Sequence, residues 1–107
     1  MQKKLALLAI VVVIMLSSAI AHSQTTYVTK SGYLAAVTEE ALDKAIDYIV
    51  QKDNAALQKL IATGMVFPLK AGLTVYITDT KFFSGKVKIR PRGSTLEVWT
   101  VMEAVQH

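Results

Sequence analysis

The chain has no cysteine, two histidines, two prolines and five glycines in 107 residues. Without cysteine there is no disulfide, no thiol nucleophile, no cysteine-ligated zinc or iron–sulfur centre and no lipid-modified cysteine. His22 and His107 stand near the two ends, so the body of the chain holds no histidine to act as a base or to ligate a metal. There is no glycine-rich phosphate loop and no G-x-S-x-G, and Ser84 and Ser94 have no partner base. Serine–histidine, cysteine–histidine and histidine–zinc mechanisms are therefore excluded. The sequence reads as non-catalytic, with no cofactor and no metal. An enzyme would have to work with Glu97 and Glu103 as a paired-acid glycan hydrolase, and nothing sets those two carboxyls apart. Asp43 and Asp47, spaced i,i+4, offer too few oxygens for a cation site.

The chain also has no apolar run long enough for a stable membrane span, which takes roughly 20 residues. Its longest is Leu5–Leu16, 12 residues behind the basic start Lys3-Lys4 and ahead of Ser17, Ser18 and the A-x-A triplet Ala19-Ile20-Ala21. This is the pattern of a secretory signal peptide over residues 1–23, cut after Ala21 or after Ser23. The expected location is periplasmic or extracellular; the alternative is an uncleaved segment that holds the protein in the inner membrane. After cleavage no stable span remains. Loss of Lys3 and Lys4 lowers the 12 basic residues to 10 against 8 acidic ones. That balance, with export, argues against nucleic acid. The 84 residues left by a cut after Ser23 make one domain at most, and so small a core must be efficient or be completed by a second copy.

The expected fold is α+β: a helical hairpin over residues 38–64, then a small antiparallel barrel-like sheet of four or five strands over 65–107, with 24–37 as an N-terminal linker or edge strand. Thr38 is placed to cap the first helix, with Glu39 and Glu40 in its first turn. Leu42, Ala45, Ile46, Ile49 and Val50 follow the spacing of one helical face. Asp53 is placed to cap a second helix whose inward residues are Leu57, Leu60 and Ile61, and Gly64 is the expected left-handed stop. Further on, Leu73, Val75 and Ile77, then Val87 and Ile89, then Leu96 and Val98 alternate with polar residues as in half-buried strands. Asp79–Gly85 reads as a loop with two adjacent phenylalanines, and Val101–Ala104 as one 3₁₀ turn before a last strand near Val105. Val66 completes the expected core.

The "AG" before a β-branched strand, the strand "GKVKIRPRG", then "EVWT" and a short helical turn together resemble a bacterial Src-homology-three-like barrel. The likeness covers Leu69–Val105 and rests on Gly72, Gly85, Gly93, Trp99 and the strand spacing. It implies an exported binding module for cell-wall material or short peptides. The preceding hairpin departs from that pattern and stands where a borrowed binding site would be covered.

The residues themselves offer one candidate surface. Lys86, Lys88 and Arg90 recur at period 2, with Arg92 in the following turn, a stripe that suits an anionic polymer or an acidic partner; the plainer alternative is a solvated edge-protecting face. Tyr76 and Trp99 fall on the face opposite the apolar residues, open to a ligand or covered by the helices. Of Phe82 and Phe83, one must point away from the core. The expected binding set is Lys86, Lys88, Arg90, Arg92, Tyr76, Phe83 and Trp99. The expected partner is an envelope protein, a peptide or a glycan. The alternative role is a structural or assembly module acting as a homodimer or larger homo-oligomer.

Overall fold

The computed structural model describes residues 25–107. The expected signal peptide and its cleavage sites lie outside the described residues. The elements in chain order are β1 (Tyr27–Thr29), β2 (Leu34–Ala36), α1 (Glu39–Val50), α2 (Asn54–Ala62), β3 (Val66–Pro68), β4 (Thr74–Lys81), β5 (Lys86–Pro91), β6 (Val98–Val101), a 3₁₀ turn (Met102–Ala104) and β7 (Val105–Gln106). Seven strands form a single antiparallel sheet in the order β3-β2-β6-β5-β4-β1-β7.

This corrects the expected architecture in three ways. The helices do not form an N-terminal hairpin; they lie mid-chain, inserted between β2 and β3, which pair with each other. The sheet has seven strands rather than four or five. Residues 27–29 and 34–36, expected within a linker or edge strand, are two strands inside the sheet, β1 between β4 and β7 and β2 between β3 and β6. Each has three residues, too few for alternation to show in sequence.

Local chemistry placed the helices well. The Thr38 hydroxyl accepts from the Ala41 N–H at 3.1 Å, and the Asp53 carboxylate accepts from the Ala56 N–H at 3.1 Å. Gly64, at φ +79°, donates its N–H to the Ile61 carbonyl and turns the chain into β3. In β4 the register with β5 shifts between Ile77 and Asp79. This bulge reverses the facing of the residues beyond it, so Thr80 lies opposite buried Val87 and the strand continues to Lys81. The expected loop at Asp79–Gly85 is therefore a turn of only Phe82–Gly85.

The sheet has two apolar faces. The inner one gathers Ala35, Leu69, Val75, Val87, Ile89, Val98 and Ala104. Leu69 follows edge strand β3 while Ala104 precedes edge strand β7, so the sheet curls until its two ends share one core. Thr29, only 3% exposed, fastens that curl: its hydroxyl donates to the Lys70 carbonyl at 2.6 Å and accepts from the Leu73 N–H at 2.9 Å. Burial of each valine or isoleucine here contributes about 1.5–3 kcal/mol. The outer face is apolar only over β3, β2 and β6. There Val66, Ala36 and Trp99 meet Ala41, Leu42 and Ala45 of α1, with Leu57, Leu60 and Ile61 of α2 half-buried beside them.

Two expected core residues lie outside both clusters. Ile49 is 52% exposed because it sits in the last turn of α1, beyond the part of the helix that packs. Leu96 is 61% exposed because β6 begins only at Val98 and the preceding residues join no ladder.

Candidate functional site

The outer face over β4 and β5 is the part the helices leave open. Antiparallel register sets its side chains: Tyr76 lies opposite Arg90, and Lys88 lies between Asp79 and Trp99. These are directly opposed cross-strand pairs, the closest side-chain neighbours a sheet provides. The Arg90 guanidinium sits over the Tyr76 ring, 4.8 Å from its centroid, and its Nη1 donates to the Ser94 carbonyl at 3.0 Å. The Lys88 ammonium sits 5.6 Å from the Trp99 ring centroid and 3.3 Å from the Glu97 carboxylate. Two cation–aromatic pairs therefore stand side by side across three strands. Each is worth about 0.5–1 kcal/mol at such half-exposed sites.

Trp99 answers both expectations at once. One side of it packs in the helix-facing cluster with Ala36 and Leu42, and the other carries Lys88. It is half-buried, so the ring is fixed by the core yet reachable.

Lys86 does not belong to this surface, although the alternation put it there. Lys86 is only 6% exposed, because its side chain reaches across to the first turns of α1 and is enclosed there. Its ammonium lies 2.7 Å from the Glu39 carboxylate and 2.6 Å from that of Asp43. Burial pulls this ammonium toward neutrality, but the hydrogen bonds and attraction from Asp43 and Glu39 outweigh it, and the Lys86 pKa is raised above 10.5. Lys86 is a clamp between helix and sheet. From the sequence, Glu39 is expected only to favour the first turn of the helix, and Asp43 is weighed only beside Asp47. The i,i+4 spacing of Glu39 and Asp43, which puts both on one stripe of α1, was the signal for a shared cation.

Arg92 and Phe83 lie at opposite ends of β5. Arg92 is exposed in the turn after Pro91, next to the Arg90–Ser94 contact. Phe83 sits in the turn beyond the last β4–β5 pair, Lys81 with Lys86, and is fully exposed. The expected seven residues thus separate into a strip of Tyr76, Arg90, Lys88 and Trp99 bordered by Arg92, a structural Lys86, and a distant Phe83.

A pocket of about 260 Å³ opens where the curled sheet ends, near that turn. Tyr27, Ile77, Phe82, Val87, Met102 and Val105 line it with Thr80. It falls just short of the roughly 300 Å³ at which small-molecule sites begin. Among the described residues no three histidine, aspartate or glutamate side chains stand close enough to hold a metal ion. No helix of the described residues is long and apolar enough to cross a membrane. No family model, curated protein or solved structure matches the chain.

Proposed function

We propose that this chain is an exported, non-catalytic binding domain, and that Tyr76, Arg90, Lys88 and Trp99 form its contact surface, with Arg92 at the border. The observation that carries this reading is the pairing of two cations with two aromatic rings on outer-face surface that α1 and α2 leave uncovered. The chemistry suits a partner that presents carboxylates or other anionic groups beside flat apolar ones: an acidic peptide segment of an envelope protein, or an anionic glycan. The guanidinium offers directional donors to a carboxylate, and the rings offer area with few rotamers to freeze. Export is supported by the residue pattern at positions 1–23.

Trp99 is the only tryptophan, so its emission reports on the surface directly. Titration of the full chain with an acidic peptide and with a uronic-acid oligosaccharide should give a saturable emission change with at least one of them. That change should weaken with salt and vanish in the double variant Lys88→Ala with Arg90→Ala. A wild-type response that survives the double substitution, or none with either probe, would sink this surface.

A second reading rests on a different observation. Ile49 and Val50, at the end of α1, are 52% and 74% exposed, an apolar step that a second copy would cover. In that case the protein is an assembly module. Light scattering separates the two: a strict monomer at high micromolar concentration excludes the assembly reading, and a dimer broken by Val50→Glu supports it.

A further inference from the structure

The Phe82–Phe83 tip is not needed by the fold and not used by the strip. Phe82 is 80% exposed and Phe83 108%, whereas Phe67 packs against the inner core. The turn that carries them is braced. Gly85, at φ +66°, donates its N–H to the Phe82 carbonyl at 3.3 Å, and the Gly85 carbonyl accepts from the Met102 N–H at 2.8 Å. The two rings are thus presented at the end of a long hairpin, next to the apolar lining of the end pocket and to Met102, itself 36% exposed. Contiguous exposed apolar surface of this kind marks an interaction site.

The path of the chain says what lies opposite this tip. β1 is antiparallel to β4, with Tyr27 opposite Val75. Followed toward its N-terminus from Tyr27, the chain heads the way β4 heads toward Phe82. In the uncleaved form, the alternative fate of residues 1–23 on which this inference rests, the apolar run Leu5–Leu16 is therefore joined to the domain at the end that bears the phenylalanines. Ten residues separate Leu16 from Tyr27, a maximum reach of about 35 Å. From Val75 to Phe82 is seven residues, about 23 Å of strand. The connection is long enough for Leu16 to stand at a bilayer surface while the tip touches that same surface.

We propose that Phe82 and Phe83 enter the interfacial layer of a lipid bilayer and orient the domain on it, with the Tyr76–Trp99 strip left facing the aqueous side. The neighbouring charges nearly cancel, Lys81 lying 4.0 Å from Asp79. The contact is accordingly apolar and needs no anionic lipid. Aromatic and aliphatic side chains on a polar frame are what such shallow insertion requires.

The absence of cysteine gives the test a clean label. The full chain is reconstituted in phosphatidylcholine vesicles that carry shallow nitroxide lipids. A single fluorophore is placed at Ser84→Cys beside the phenylalanines, or at Thr95→Cys. Both positions are exposed, and Thr95 lies past the turn at the other end of β5. The expected result is lipid quenching and a blue shift at position 84 and neither at position 95, with the signal at 84 falling to that at 95 when Phe82→Ser and Phe83→Ser are added. Circular dichroism checks that each variant folds. Equal signals at both positions would show a domain that is only tethered nearby. A label at 84 shielded from aqueous iodide but untouched by lipid nitroxides would show that the tip packs on protein, a second copy included. Either result overturns the proposal, and so does quenching at 84 that persists without the phenylalanines.

Discussion

Lys86 carries the heaviest electrostatic duty of any single residue described. It is nearly buried, while its partners Glu39 and Asp43 keep 32% and 54% of their side chains exposed. Lys86→Ala removes two charge-assisted bonds and leaves two carboxylates side by side; the expected loss is about 1–3 kcal/mol in urea unfolding. The pH dependence has a definite sign. Because the folded pKa is raised above 10.5, the stabilisation is fully present below that value and is lost as pH rises through the higher folded pKa. The difference in melting temperature between wild type and Lys86→Met should therefore hold steady up to about pH 10 and close above it. A gap that widens in alkali would contradict the clamp. Period-2 spacing gave the correct face for Lys86 but could not tell which length of that face the helix covers. That depends on where β2 and β3 pair, which no residue near Lys86 encodes.

The two helices differ in how much they hold. α1 buries Ala41, Leu42 and Ala45, whereas α2 buries no residue completely. Their caps should accordingly fail differently. Thr38→Ala should lower global stability by about 1 kcal/mol. Asp53→Ala should raise amide exchange across Asn54–Ala62 and leave the global midpoint nearly unchanged, as a locally fraying unit does. Both caps and the stop at Gly64 were legible because capping is written in three or four adjacent residues. The long strands were legible for the same kind of reason, since Val75, Ile77, Val87 and Ile89 repeat with the pleat. The end of β4 was not, because its bulge breaks the alternation at Thr78, and of β1 and β2 the sequence offered only a linker or one edge strand over 24–37, not two interior strands. The strip itself was half legible: the residue types and their face showed, but the pairing of Arg90 with Tyr76 and of Lys88 with Trp99 follows from a register that only the folded sheet reveals.

Across the whole molecule, the ladder is completed by the chain's far ends. β1 lies between β4 and β7, and β2 between β3 and β6, so a fragment that starts at Thr38 lacks two interior strands. Residues 38–107 alone should show little fixed near-ultraviolet dichroism and no cooperative melting, whereas residues 25–107 should melt as a single unit. Cooperative unfolding of the shorter fragment would refute the sheet order. The pairing of Val28 with Gln106, and of residues so far apart elsewhere, also makes folding slow for a chain this short. The rings of Tyr27 and His107, 4.4 Å apart and tilted by 40°, show that the first strand and the last residue come together at one place. A load drawn between those two ends would open the β1–β7 ladder like a zip, one rung after another instead of all rungs in shear, so mechanically the molecule yields first along the seam that joins its beginning to its end.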